Sequence, residues 1–120
     1  MDTYKLGEME EKFAELLWEK APIRTGELTK LCQQAFDWRR TTTYTMLKRL
    51  CERGIFANED GVVIVCMKRE DFQAARGEQF IEENFGGSLP MFLAAFTRRK
   101  KLDVKEIQML KELIDKYEED

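Results

Sequence analysis

The sequence contains no histidine among its 120 residues, and its three cysteines are widely spaced, without a CxxC pair. Histidine is the commonest general base and metal ligand, so its absence excludes histidine-dependent hydrolase triads and most zinc sites. The stretch NFGGSL has neither the length nor the lysine of a phosphate-binding loop. We therefore predict no catalytic residues, no metal ligands and no cofactor, and we do not expect an enzyme.

Long hydrophobic runs are also missing. The longest unbroken apolar stretch is VVIVCM, far shorter than the roughly 20 residues of a membrane-spanning helix. The N-terminal residues MDTYKLGEMEEKF are acidic where a secretory signal would be basic and then apolar. These features predict a cytoplasmic protein without membrane insertion, in which the cysteines are small buried apolar side chains.

The net charge of −3 is not spread evenly along the chain. Between Asp37 and Phe56, five basic residues stand against two acidic ones, which gives this stretch a local charge of +3. A local excess of one sign matters more for binding a polyanion than the total charge does. The segment is therefore a candidate for contact with nucleic acid despite the acidic total.

The segment DWRRTTTYTMLKRLCERG has the spacing of a helix and an unusual content of threonine. Thr43, Met46, Leu47 and Leu50 line one face of a 3.6-residue period, and Gly54 is a natural end for the helix. Its four threonines cost on the order of 2 kcal/mol relative to alanine. The alternative is an edge strand, but two adjacent apolar residues break the strict alternation that a strand requires.

Two helices precede this segment and a hairpin follows it. Apolar spacing predicts a first helix from Leu6 that ends before Pro22, and a second from Thr25, as its N-cap, to about Phe36. The β-rich runs IFA and VVIVCM flank the turn NEDG, whose glycine can take a positive φ. Residues 1–68 thus predict a winged helix-turn-helix of the mainly α (α+β) class, with a small β-hairpin wing.

In such a fold the third helix lies in the DNA major groove. Threonine hydroxyls and methyls, with the phenol and ring of Tyr44, can contact base edges there, which would explain the cost in helix propensity. A solvated polar face would look the same in sequence. The residues alone therefore leave three interpretations open: DNA reading, protein binding by a winged helix, and neither.

Residues 69–120 predict three more helices, too few to form a core of their own. Ser88 can cap the helix that Pro90 enters, and Asp103 with Glu106 resembles a capping box before the last helix. We predict a helical dimerisation region, because a two-fold partner would cover the many apolar side chains. The alternative is that this region packs back on its own first domain. The predicted dimer interface comprises Phe80, Phe85, Leu89, Phe92, Leu93, Phe96, Ile107, Leu110 and Ile114.

At WRRTTTYTMLKRLCERG the chain resembles the penicillinase and methicillin-resistance repressor family of BlaI/MecI/CopY type. LGEMEEKFAELLW resembles the first helix of that family, and FIEENFGGSLPMFLAAF followed by LDVKEIQMLKELID resembles its dimerisation arm. Together these segments cover nearly the whole chain in the expected order. The resemblance implies a homodimeric winged-helix repressor that binds a short palindromic operator in double-stranded DNA and blocks transcription.

Carried over by position, the family pattern assigns two sets of DNA contacts to the third helix. The implied base readers are Thr41, Thr42, Tyr44 and Thr45, and the implied phosphate-binding residues are Arg39, Arg40, Lys48 and Arg49. Family members commonly have serine at the helix N-cap, where this chain has Arg39, which cannot cap. The wing turn NEDG is acidic, so we expect the wing to contribute little to phosphate binding.

The resemblance also suggests how repression ends. In the resistance branch of the family a membrane sensor protease cuts within the arm, at a bond that corresponds here to Ala95–Phe96. The residue before that bond is alanine here rather than a polar amide. The paired CxC motifs of the copper-responsive branch are missing from the C-terminal end. The basic run TRRKK fits either a solvated connection or a segment that touches DNA or an inducer.

Overall fold

The structure, a computed structural model, describes residues 4–119, and within them the chain forms six helices and three short strands. In chain order these are α1 (Glu8–Lys20), β1 (Ile23–Arg24), α2 (Thr25–Phe36), α3 (Arg40–Glu52), β2 (Phe56–Glu59), β3 (Val62–Val65), α4 (Arg69–Phe85), α5 (Leu89–Arg99) and α6 (Val104–Glu119). The predicted mainly α winged helix with a hairpin wing is confirmed. Residues 1–3 and 120, at the ends of the two predicted regions, lie outside the described residues.

The chain divides into two compact units, one running to Gln79 and the other beginning at Phe80. The division falls inside α4, because the first half of that helix packs on the first unit. Phe72 is buried there, with its ring centroid 5.4 Å from that of Trp18. Arg76 of the same helix pairs with Glu11 of α1.

The core of the first unit is formed by the inward faces of its helices and its sheet. Phe13 and Leu17 of α1 and Leu28 of α2 are fully buried. The ring of Trp38, in the turn between α2 and α3, lies 5.3 Å from that of Phe13. The remaining large side chains that are fully buried come from α3, from the sheet and its connection, and from α4: Leu50, Ile55, Phe56, Val63 and Phe72. This shared core fixes how α3 is presented.

The sheet is antiparallel, with the strand order β1-β3-β2. The hairpin turn is formed by Asp60 and Gly61, both with positive φ (50° and 84°), as a two-residue turn of type I′ requires. The amide N–H of Gly61 also donates to the side-chain oxygen of Asn58, at 3.0 Å. The sequence predicted this hairpin, but β1, which is only two residues long, was not predicted.

Two local predictions are wrong. Thr25 is the first residue of α2 and not its N-cap; Arg24 holds that position without a side-chain hydrogen bond. The reason is that Arg24 pairs with Val62 in the sheet, so β1 runs directly into α2. Cys32 is buried as expected, and burial raises the pKa of its thiol, but Cys66 after β3 is exposed.

The second unit has no buried core, since no side chain from residue 80 to residue 118 is buried. Its helices are nevertheless well capped. The hydroxyl of Ser88 accepts from the N–H of Met91 at 3.2 Å. Asp103 accepts from the N–H of Glu106 at 2.7 Å, and the Glu106 carboxylate accepts from the N–H of Asp103 at 3.4 Å. Both predicted caps are confirmed.

None of the helices within residues 4–119 combines the length and the apolar character that crossing a membrane requires.

Replacing Phe13 by alanine should lower the free energy of unfolding by about 3–5 kcal/mol, because it leaves a cavity beside Trp38. Urea unfolding followed by tryptophan fluorescence measures the change. The control is Met9→Ala in the same helix, which is 37% exposed and should cost less than about 1 kcal/mol. Equal losses in the two variants would contradict the core assigned to α1.

Candidate nucleic-acid interface

One face of α3 belongs to the core. Thr43, Met46, Leu47 and Leu50 are all buried, with at most 9% of any of these side chains exposed. The helical spacing seen in the sequence is therefore confirmed, and the edge-strand alternative is wrong. The hydroxyl of Thr43 lies beside the thiol of Cys32, so this threonine faces inward and does not join the predicted base readers.

The opposite face of α3 is polar and exposed. Thr41, Thr42 and Thr45 are exposed, and so are Lys48 and Arg49 further along the helix. The hydroxyl of Thr45 donates to the carbonyl oxygen of Thr41 at 2.9 Å. That bond uses the only proton of the hydroxyl, so Thr45 presents acceptor lone pairs and a methyl group to whatever binds there.

Tyr44 is half-buried at the edge of this face. The guanidinium carbon of Arg40 lies 5.7 Å from the centre of its ring, within range of a cation–π contact. Hydrogen bonds from Thr25 and then from Arg40 lower the pKa of the Tyr44 phenol, because both favour the ionised form. Two of the four predicted base readers, Tyr44 and Thr45, thus have defined contacts within the protein.

The four predicted phosphate-binding cations, Arg39, Arg40, Lys48 and Arg49, are all exposed. Arg39 and Arg40 line a groove of about 390 Å³ between α2 and the start of α3. Arg39 is the N-cap of α3 without a side-chain hydrogen bond, and the helix still begins at the next residue. Packing of the buried face compensates for the missing cap, so the substitution at this position does not prevent helix formation.

The same groove contains two residues of α2 that sequence reasoning missed, Lys30 and Gln33. They stand three residues apart and so share one face of the helix. Both side chains are polar, so they could have been assigned to the exposed face of the second helix. Placing that face on the same side as the start of the third helix would have brought them next to Arg39. Asp37, with φ of 56°, forms the tight turn that brings the two helices together and adds one carboxylate to the groove.

Arg53, one of the basic residues of the +3 stretch, has a structural role instead. One terminal nitrogen of its guanidinium donates to the carbonyl oxygen of Lys5 at 2.8 Å, and the other lies 3.6 Å from the carboxylate of Glu10. These contacts tie the end of α3 to the start of α1. The exposed cations of α3 are thus Arg40 at its start and Lys48 and Arg49 toward its C-terminal end.

The wing carries acidic side chains at its tip. Asn58, Glu59 and Asp60 are exposed at the turn between β2 and β3. No basic residue lies among them, so the expectation that the wing contributes little to phosphate binding stays a prediction.

The second unit presents a large apolar surface. The rings of Phe80, Phe85, Phe92 and Phe96 form a cluster with centroid separations of 5.4–6.2 Å. An apolar groove of about 340 Å³ lies between α5 and α6. Of the predicted dimer residues, the exposed ones are Phe80, Leu89, Phe96, Ile107 and Ile114, and the half-buried ones are Phe85, Phe92, Leu93 and Leu110.

The predicted cleavage bond, Ala95–Phe96, lies inside α5, three residues before the helix ends at Arg99. A protease acting there would have to unwind the last turns of the helix first. Cleavage at this bond stays a prediction. The basic run from Arg98 to Lys101 is exposed where α5 ends.

Comparison with known proteins gives two findings. The family model described as Penicillinase repressor matches residues 6–116, which reach from before α1 into α6. The Methicillin resistance regulatory protein MecI of Staphylococcus aureus (strain Mu50 / ATCC 700699) is 22% identical over 118 residues. That alignment covers 95% of this chain and 96% of the relative. The likeness therefore includes both compact units.

Proposed function

Because this chain belongs to the penicillinase repressor family, we propose that it represses transcription by binding double-stranded operator DNA as a homodimer. Membership makes the chain a regulator rather than an enzyme. In the proposal α3 enters the major groove, and the two copies of α3 in a dimer bind the two halves of a palindromic operator.

The observation that carries the proposal is the division of α3 into two faces. Its apolar side is buried in the core, while the side that carries Thr41 and Thr45 is exposed and flanked by cations. Short polar side chains can discriminate base edges, and cations around them can bind phosphates and fix the helix in register. Lys30 joins the phosphate-binding set in this proposal, since it shares a groove with Arg39 and Arg40.

Replacing both Arg39 and Arg40 by alanine should weaken binding to every duplex and flatten its dependence on salt, because fewer counterions are released. The unaltered protein should lose tenfold or more in affinity between about 50 and 200 mM salt. Fluorescence anisotropy with labelled duplexes measures both quantities.

The matched control replaces two exposed lysines of α1, Lys12 and Lys20, by alanine. It removes the same charge from the same unit but away from α3, so it should leave the salt slope nearly unchanged. Equal effects of the two double variants would contradict a specific role for Arg39 and Arg40.

Replacing Tyr44 or Thr45 by alanine should have a different signature from loss of the cations. Each well-placed base contact is worth roughly 1–3 kcal/mol of discrimination, so these variants should relax sequence preference by about 5- to 150-fold. Affinity for unrelated duplexes should change little, because the phosphate contacts remain. If these variants and the arginine variants behave alike, the assignment of separate roles is wrong.

The dimer is supported by the lack of a buried core in the second unit. No side chain from residue 80 to residue 118 is buried, although this stretch carries a cluster of four phenylalanines and an apolar groove. Exposed apolar surface of this kind marks an interface in most proteins. A two-fold partner covers the surface and also duplicates α3 for a palindromic site.

Replacing Ile107 and Ile114 by aspartate should convert the dimer to a monomer. These side chains are 40% and 55% exposed in the single chain, so the protomer should keep its fold while the interface loses apolar area and gains charge. Sedimentation at micromolar concentration measures the mass. The control, Lys105→Asp on the polar side of the same helix, should remain dimeric. A monomeric unaltered protein would contradict the proposal.

A second candidate function is a winged-helix module that binds a protein and not DNA. It is favoured by the net charge of −3 and by the acidic tip of the wing. The salt experiment separates the two candidates, because a protein-binding module would have no affinity for duplexes at any salt concentration.

A further inference from the structure

The last helix, α6, is almost entirely exposed in the single chain. Up to residue 118, only one of its side chains, that of Leu110, is even half-buried. Four of its apolar residues follow one another at intervals of three, four and three: Ile107, Leu110, Ile114 and Tyr117. This spacing places them along one seam of the helix, the pattern by which two helices pack side by side.

The neighbouring helix α5 does not cover this seam. The groove between α5 and α6 is lined from α6 by Glu106, Met109 and Leu110, and not by the other three residues of the seam. Tyr117 is 82% exposed and Ile114 is 55% exposed. A second helix is therefore needed to bury the seam.

The two ends of α6 carry opposite charge. Residues 98–106, at its start, hold five basic and two acidic side chains, a net charge of +3. Residues 115–120, at its end, hold one basic and four acidic side chains, a net charge of −3. The helix dipole favours the reverse, with acidic residues at the N-terminal end and basic residues at the C-terminal end. The stability of α6 on its own therefore does not explain this arrangement.

The charges at both ends are also available to a partner. The four cations at residues 98–101 are exposed, and so are the carboxylates of Asp115 and Glu118. None of these side chains forms an ion pair within the part of the chain that the structure describes. Each end of α6 thus presents an unpaired charge of one sign beside an uncovered apolar seam.

We propose that the two arms of the dimer pair through antiparallel α6 helices, with residues 98–101 of one protomer against the acidic end of α6 in its partner. The proposal rests on the dimer of the proposed function and adds the direction in which the two copies meet. Antiparallel pairing joins +3 to −3 at two symmetric places. Parallel pairing would set +3 against +3 and −3 against −3.

The apolar seam fits the same direction. Its four residues are placed symmetrically about Glu112, so antiparallel pairing sets Ile107 opposite the partner's Tyr117 and Leu110 opposite the partner's Ile114. Each layer of the seam then combines two different side chains. Parallel pairing would put two tyrosines in one layer and two isoleucines in others, and such uneven volumes pack less well.

Disulfide cross-linking reports the direction of the helices. In a background with Cys51→Ser and Cys66→Ser, the remaining cysteine, Cys32, is buried. An Ile107→Cys protein mixed with a mass-tagged Tyr117→Cys protein should form a mixed disulfide on oxidation. Neither should cross-link with itself, because two copies of position 107 would lie ten residues, or about 15 Å, apart along the helices. A disulfide requires Cα atoms within about 7 Å.

The control for cross-linking is Lys105→Cys, on the polar side of α6, which should cross-link neither with itself nor with Tyr117→Cys. Cross-linking of Ile107→Cys with itself would show parallel pairing and overturn the proposal. The lack of a mixed disulfide between positions 107 and 117, in a protein that sediments as a dimer, would overturn it as well.

Charge reversal is a second test, and the sign of its effect depends on the direction. Replacing Asp115 and Glu118 by lysine should raise the dissociation constant of the dimer about tenfold, as should replacing Lys100 and Lys101 by glutamate. Lysines at the C-terminal end of α6 agree with the helix dipole, so the first variant should not weaken the helix itself. Combining all four substitutions should restore most of the affinity. Parallel pairing would instead be strengthened by either reversal.

The matched control reverses two exposed acidic residues of α1, Glu8→Lys and Glu19→Lys, and should leave the dissociation constant unchanged. Sedimentation over a range of concentrations measures all of these constants. The outcomes also separate the inference from the proposed function. A monomeric unaltered protein would overturn the proposed dimer and this inference with it, whereas a dimer with parallel cross-links would overturn only the direction of pairing.

Discussion

The burial of one face of α3 is the constraint on which the rest of the structure depends. Thr43, Met46, Leu47 and Leu50 occupy the core, and their packing fixes the rotation of the helix about its own axis. A shift of one residue would turn the helix by about 100° and bury a different set of side chains. Thr41 and Thr45 point outward because these four residues point inward. Each threonine of α3 therefore either packs in the core or stays exposed and available for contact. The lower helix propensity of threonine is tolerated only at positions of these two kinds.

The sequence predicts the parts of this structure that local rules control. Helical spacing identified α3, the Asp60–Gly61 turn identified the hairpin, and cap residues identified the starts of α5 and α6. The family resemblance drawn from the motif around α3 is confirmed over residues 6–116.

The features that escaped prediction are tertiary. Strand β1 is two residues long and exists only because β3 pairs with it. Cations of the third-helix segment look equivalent in sequence, yet Arg53 is tied to Lys5 and Glu10.

The two compact units satisfy their apolar surface in different ways. The first encloses Phe13, Phe56 and Phe72 in a core of its own and is complete as a single chain. The second leaves its phenylalanines and the apolar side of α6 partly or fully exposed, although its helix starts are well capped. Caps stabilise individual helices by about 1 kcal/mol each, but they cannot replace the burial of an apolar face. In the proposed repressor the second unit therefore depends on a second copy, so folding of the arm and pairing of the reading helices become one event.

We propose that the outer face of α3 reads DNA and is presented twice by a symmetric dimer. Selection of duplexes from a fully random library by the unaltered protein tests it most directly. A symmetric dimer that reads DNA through α3 should enrich an inverted repeat whose half-sites lie about one turn of DNA apart, or a multiple of that, with their spacing held constant. No enrichment, or enrichment of a single unrepeated sequence, would contradict it.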